Sequence, residues 1–130
     1  MKHEYLMEMS ESELKDYARA CKIDISGAKG HAAKVKLIEE ARERTSEINV
    51  IGMTIVIPVK NLHDKRVSDA LSKVDLADNA SVEEAMRMIV GDEQFESIVE
   101  RCTEDDGYVD LDALGTVFGT VLTSSQLKNF

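Results

Sequence analysis

Apolar residues at helical spacing follow a capping signal near the start of the chain. Ser10 and Glu13 are three residues apart, as in a capping box, where the two side chains bind the first free amides of a helix. The apolar stripe of the helix that follows consists of Leu14, Tyr17, Ala18 and Cys21. A turn with Gly27 separates it from a second stripe over residues 31–44. The pattern predicts a helix-loop-helix module, which we bound at residues 1–46.

The pattern changes to closely spaced β-branched residues between Glu47 and Val59. Such side chains are favoured on a pleated, half-buried surface, and Gly52 lies in the middle of the segment. Pro58 has no amide donor and should end the strand pairing. The segment therefore predicts a small hairpin, or one strand bent at a bulge. An unpaired edge of such a ribbon would allow a homo-oligomer.

Helical patterns fill the rest of the chain. Asp64 is a suitable N-cap for one helix, and Ser81 with Glu84 has the form of a capping box for a helix over residues 82–90. The apolar stripes of two further helices consist of Phe95, Ile98, Val99 and Cys102, and of Leu111, Leu114, Val117, Phe118, Val121 and Leu122. We therefore predict a mainly α fold, in which the N-terminal module is followed by a short β-ribbon and a C-terminal helical bundle over residues 47–130.

The charge balance limits the choice of partners. The 130 residues include 25 acidic and 16 basic side chains, for a net charge of −9. Residues 49–130 hold 15 of the acidic groups and 7 of the basic ones. A surface with this charge repels a phosphate backbone unless a local basic patch overrides it. Broad nucleic-acid binding is therefore disfavoured.

Cysteine usage and hydropathy bear on the compartment. Cys21 and Cys102 lie in different halves without paired spacing, which favours reduced thiols over a disulfide framework. The N-terminus has acidic residues where a signal peptide needs an apolar run, and no stretch approaches the roughly 18 apolar residues of a membrane span. We expect a cytoplasmic protein that does not enter a membrane.

The residue types that carry chemistry do not form a catalytic or metal-binding pattern. His3, His31 and His63 each lack a second ligand at the three- or four-residue spacing of a helical metal site. Acidic neighbours should raise the pKa of the Cys102 thiol, which makes it a poor nucleophile and favours a core position. We expect a protein that is not an enzyme and that has no catalytic residues, metal or cofactor.

The acidic segment around Gly107 invites comparison with a calcium loop. Aligning Gly107 with the sixth position of an EF-hand loop places Cys102 at the first position and Ala113 at the twelfth, where carboxylates are needed. The segment instead predicts a turn followed by a helix capped by Asp110.

The first module carries a further pattern over roughly residues 8–44. The residues of this pattern are the stretch from Met9 to Ala18, then Ile23, Gly27, Lys34, Leu37 and Ile38. They resemble the helix-extended-loop-helix modules of the SAP, LEM and HeH group, in which the glycine-lysine turn and the second helix often contact DNA. The resemblance implies a DNA-contacting side that consists of Lys22, Lys29, His31, Lys34 and Lys36. The chain departs from the group by an additional Lys29-Gly30-His31-Ala32, and acidic residues of the second helix balance the basic ones, so a protein-binding or spacer module is the other interpretation.

A second pattern spans residues 48–130. It consists of the ribbon over residues 50–58, the segment from Ile89 to Phe95, the Asp106-Gly107 turn with its following helix, and the closing Leu127-Lys128-Asn129. This order is similar to that of phage tail assembly chaperones, which are encoded just before the tape measure protein. Such chaperones hold the long, helical tape measure protein, or another helical tail protein, soluble until tail-tube subunits polymerise around it.

The resemblance implies an apolar groove with an acidic rim. Methionine side chains repack readily against varied helices, so the candidates for the groove surface are Met53, Met86, Met88 and Phe95. Met86 and Met88 cannot share one helical face, and one of them should belong to the core. The alternative function is that of a DNA-binding accessory protein that acts through the N-terminal module.

Overall fold

The computed structural model describes residues 1–127 and separates into two compact units. One unit comprises residues 1–44 and the other begins at Thr45, whereas the sequence division was placed after residue 46. The described residues are mainly helical and include a two-stranded antiparallel sheet, which confirms the predicted fold class. Of the closing Leu127-Lys128-Asn129, the last two residues lie outside the described part of the chain.

The first unit contains three helices, α1 (His3–Glu8), α2 (Glu11–Ala20) and α3 (His31–Arg42). The predicted capping box is present, because Ser10 Oγ accepts from the Glu13 amide at 3.1 Å and Glu13 Oε1 accepts from the Ser10 amide at 2.9 Å. The same pair lowers the pKa of the Glu13 carboxyl through hydrogen bonds from Ser10. The core of this unit consists of Leu6, Leu14, Ala18, Val35 and Ile38. Helix α1 was not predicted from the sequence.

The second unit opens with a β-hairpin. Strand β1 (Thr45–Val50) pairs with β2 (Met53–Pro58), and the register runs from Val50 opposite Met53 to Thr45 opposite Pro58. One face is buried and consists of Ile48, Val50, Met53, Ile55 and Ile57. The sequence left open a hairpin or a bulged strand, and the structure is a hairpin.

A two-residue turn joins the strands. Ile51 has φ of 40° and Gly52 has φ of 78°, and positive φ at both central residues is the requirement of a type I′ turn. Glycine adopts this conformation freely, whereas a β-branched residue is strained there. The Ile51 side chain is 54% exposed, so little packing offsets that strain.

The two outer edges of the hairpin differ. The outer edge of β2 is hydrogen-bonded to the Gln94 side chain. Gln94 Oε1 accepts from the Val56 amide at 2.9 Å and Nε2 donates to the Val56 carbonyl at 2.7 Å, as the backbone of a neighbouring strand would. On β1, the exposed Glu47 places a charge at the middle of the edge, which is a common protection against pairing with another strand. The β2 edge is therefore covered from within the chain, and the β1 edge is defended by charge.

Five helices complete the second unit within the described residues. They are α4 (Val59–Leu62), α5 (Lys65–Ser72), α6 (Asn79–Val90), α7 (Asp92–Arg101) and α8 (Leu111–Leu127). Asp64 caps α5 as predicted, since its side chain accepts from the Arg66 amide. The prediction that Ser81 caps the next helix was wrong: α6 begins earlier, and its cap is Asp78, which accepts from the Ala80 amide at 3.1 Å.

One hydrophobic core joins the hairpin to these helices. The rings of Phe95 on α7 and Phe118 on α8 stack with centroids 5.7 Å apart. Gly91 (φ 86°) ends α6 and starts α7, and its positive φ allows the chain to turn between them. The buried members of this core on α6 and α8 are Val82, Ala85, Met86, Ile89, Val90, Leu114, Val117, Phe118, Val121 and Leu122.

Replacing Ile51 with asparagine should stabilise the second unit. Asparagine tolerates positive φ and is the preferred residue before glycine in this turn, so Ile51→Asn should raise the free energy of unfolding by about 1 kcal/mol. Urea unfolding followed by circular dichroism measures the difference. An unchanged or lower stability would contradict the assignment of strain to Ile51.

Removing the Gln94 amide should destabilise the second unit. Gln94→Ala deletes both bonds to the β2 edge and a third from Nε2 to the Val90 carbonyl at 3.1 Å, and we expect a loss of about 1–2 kcal/mol in urea unfolding. Gln94→Glu keeps the acceptor for the Val56 amide but removes the donor, and it should also destabilise. Ser97→Ala, at an exposed position of the same helix, is the matched control and should change stability by less than about 0.5 kcal/mol. Equal stability of the alanine variants at the two positions would contradict the role given to Gln94.

Candidate partner-binding groove

The sequence-based groove residues lie mostly inside the protein. Met53, Met86 and Phe95 are buried, while Met88 is half-buried and packs against the same core. Met53 lies on the buried face of the hairpin, and Met86 and Phe95 lie on the inner sides of α6 and α7, whereas Met88 lies at the edge of the buried side of α6. Three of the four candidates therefore belong to the protein's own core and do not form an exposed surface in this structure. The expectation that one of Met86 and Met88 belongs to the core is confirmed by Met86.

A different apolar surface lies between the N-terminal part of α6, the loop before it, and α8. It is a groove of about 290 Å³ whose apolar lining consists of Leu76, Val82, Leu111, Leu114, Phe118 and Leu122. Four of these are buried and form its floor, but Leu76 is 77% exposed and Leu111 is 65% exposed. These two values are the highest of any large hydrophobic side chain in the described part of the chain. Leu111 was predicted as part of the core stripe, and its exposure corrects that prediction.

The loop that carries Leu76 is held by hydrogen bonds. The Asp75 amide donates to Ser81 Oγ at 3.1 Å, the Ala77 amide donates to Asp75 Oδ1 at 2.9 Å, and the Asp78 amide donates to the Asp75 carbonyl at 2.8 Å. Ser81 thus fixes this loop rather than capping α6. Because the backbone on both sides of Leu76 is bonded, its exposure is a property of an ordered loop.

The backbone around Leu111, at the start of α8, is also held by hydrogen bonds. Asp110 Oδ1 accepts from the amides of Asp112 at 3.0 Å and Ala113 at 3.1 Å, which confirms Asp110 as the predicted cap. The Asp110 amide donates to the Cys102 carbonyl at 2.8 Å and ties this end of α8 to the end of α7. The acidic segment before it forms the predicted turn, with the Gly107 amide donating to the Glu104 carbonyl at 2.9 Å.

No side chain projects from α8 at two positions of the groove, because the residues there are glycines. Gly115 and Gly119 both border the groove, and apart from the adjacent residues and the backbone of α8 itself, a Cβ added at either position would meet no atom within 4 Å. The space above them is therefore open. A partner helix could approach the α8 backbone closely at these positions.

The lining of the groove contains acidic but no basic residues within the described part of the chain. Glu83 is the only charged residue that lines it within the described chain. In the sequence, Leu76 lies between Asp75 and Asp78, and Leu111 lies directly between Asp110 and Asp112. The second unit as a whole, residues 45–130, has 16 acidic and 7 basic side chains.

Three of the five basic residues proposed for DNA contact have a carbonyl or carboxylate partner within the first unit. His31 Nε2 lies 2.9 Å from the Leu6 carbonyl oxygen and joins α3 to α1, which is a structural role. Lys34 Nζ lies 3.9 Å from Glu11 Oε1, and Lys36 Nζ lies 3.9 Å from Glu40 Oε1. Lys34 lines a shallow hollow on the first unit together with Lys15 and Arg19, whereas Lys22, Lys29, His31 and Lys36 do not line it. Residues 1–44 have 9 basic and 9 acidic side chains, so the unit has no net charge.

The two cysteines and His3 are buried or bonded to other side chains of the fold. Cys102 is buried as predicted, and burial, with a smaller contribution from Asp110, raises the pKa of its thiol. Cys21 Sγ accepts from Arg42 at 3.2 Å, and His3 Nδ1 lies 2.8 Å from Glu39 Oε1. Within residues 1–127, no cluster of three or more His, Cys, Asp or Glu side chains is placed to hold a metal ion. None of the described helices combines the length and the apolar character that crossing a membrane requires.

Comparison of the chain with protein-family models, with curated proteins and with solved structures gave no match.

Proposed function

We propose that this protein is a non-enzymatic chaperone of phage tail assembly that acts in the host cytoplasm. It holds the tape measure protein, or another helical tail protein, in soluble form until tail-tube subunits polymerise around it. The observation that carries the proposal is the groove between α6 and α8, whose two exposed leucines stand over an apolar floor. Grooves of this kind bind the apolar face of an amphipathic helix.

Leu76 and Leu111 are the anchors of this interaction. They come from separate segments of the chain, and the backbone beside each is held by hydrogen bonds, so little backbone entropy is lost when a partner covers them. Covering one leucine fully contributes about 1.5–3 kcal/mol. Two anchors and a pre-formed floor therefore give a reversible complex, which suits a chaperone that must release its client to the growing tail tube.

Co-expression with a tape measure protein tests this function. We expect the protein to increase the soluble yield of the tape measure protein encoded next to it. The double variant Leu76→Ser/Leu111→Ser should lose most of this effect while remaining folded, because both side chains are exposed. Tyr108→Ser removes another exposed side chain, 63% exposed and outside the groove, and should behave as the wild type.

A filled groove gives a second, independent variant. Gly115→Leu places a side chain into open space and replaces a helical glycine, so the fold should be retained or stabilised while the groove is blocked. Ser97→Leu adds a leucine on the exposed side of α7 and is its control. Unchanged solubilisation by both groove variants would contradict the proposal.

Salt-sensitive retention of DNA that weakens on Lys36→Glu would favour the DNA-binding alternative instead.

A further inference from the structure

The charge around the groove indicates which helices it can accept. Each exposed leucine has acidic neighbours on both sides in the sequence, and Glu83 adds a carboxylate to the lining itself. No lysine, arginine or histidine is among the described residues that line the groove. An apolar groove with a carboxylate in its lining, and with aspartates next to both exposed leucines in the sequence, favours one kind of helix and disfavours others.

We infer that the groove selects amphipathic helices whose apolar stripe is flanked by lysine or arginine. This inference rests on the proposed function and specifies the client segment. Basic side chains beside the stripe would lie near Glu83, Asp112 and the acidic residues around Leu76, where opposite charges steer the encounter and fix the orientation of the helix. A helix with acidic flanks would bring like charges together and would be rejected.

Other occupants fit this surface less well. A second copy of the chain carries the same excess of acidic residues on its second unit, so two copies repel each other at long range. An anionic membrane surface is disfavoured for the same reason. A basic-flanked helix is the occupant for which the charge and the apolar lining agree.

Three synthetic peptides test this selection on the intact protein. Each peptide has about 18 residues, which form about five helical turns, and all share one leucine stripe. The flanks carry lysine in the first, glutamine in the second and glutamate in the third. Fluorescence anisotropy gives the Kd of each at low salt and again at about 0.5 M NaCl, where exposed charges are largely screened.

The inference predicts the order of affinity and its dependence on salt. At low salt, the lysine peptide should bind about fivefold to tenfold more tightly than the glutamine peptide, and the glutamate peptide should bind most weakly. High salt should bring the three Kd values together. Glu83→Gln/Asp112→Asn should reduce the advantage of the lysine peptide, whereas Glu100→Gln, an exposed position of α7 outside the groove lining, should leave it unchanged.

The outcomes separate this inference from the function on which it rests. Equal binding of all three peptides that is blocked by Gly115→Leu would overturn the charge selection and leave a helix-binding groove. Binding of none of the peptides would contradict the groove function, and the inference with it. Dimerisation of the free protein that is abolished by Gly115→Leu would show that a second copy occupies the groove, and it would also overturn the inference.

Discussion

The second unit depends on covering the apolar face of its β-hairpin. A two-stranded ribbon is marginal alone in water, and here helices of the same unit pack on its inner face to form one continuous core. Gln94 on α7 adds polar bonds to the outer edge of β2, so the same helix that places Phe95 in the core also completes the sheet. The positions of α6, α7 and α8, and with them the groove, follow from this packing.

The core accounts for most of the large apolar side chains of the second unit, and the exceptions are informative. Met53, Met86 and Phe95 are used internally and are not available to a partner. Leu76 and Leu111 are left out of the core, although both lie on ordered backbone beside buried residues. An exposed leucine is ordinary on a protein surface, but two of them bordering one groove, without a basic residue in its described lining, form a surface suited to a basic amphipathic helix. This is the physical basis of the proposed chaperone function.

Local signals in the sequence predicted local structure well. The capping box of Ser10 and Glu13, the cap at Asp110 and the hairpin around Gly52 all depend on residues close together in the chain, and the structure contains each of them. Helix α1 was missed because it is six residues long and buries a single side chain, Leu6. The start of α6 was misplaced because that stretch contains two residues that can cap a helix, Asp78 and Ser81. In the structure Ser81 Oγ accepts from the Asp75 amide, and Asp78 caps the helix.

The groove could not be predicted from the sequence, because its walls come from two separate segments, residues 76–83 and residues 111–122. Methionine content indicated an adaptable surface but not the direction of each side chain. A usable signal was present in Leu76, the one large apolar residue of the turn Asp75-Leu76-Ala77-Asp78. Leu111 gave no such signal, since its spacing from Leu114 and Phe118 is that of a core residue.

The most direct test of the central claim is to map the bound partner on the protein surface. Amide chemical shifts of the isotope-labelled protein would be recorded during titration with a helical fragment of the adjacent tape measure protein. The account predicts that the largest shifts occur at Leu76, Glu83, Leu111, Gly115 and Gly119. Largest shifts in the first unit, or on the hairpin edge around Glu47, would contradict the assignment of the groove as the binding site.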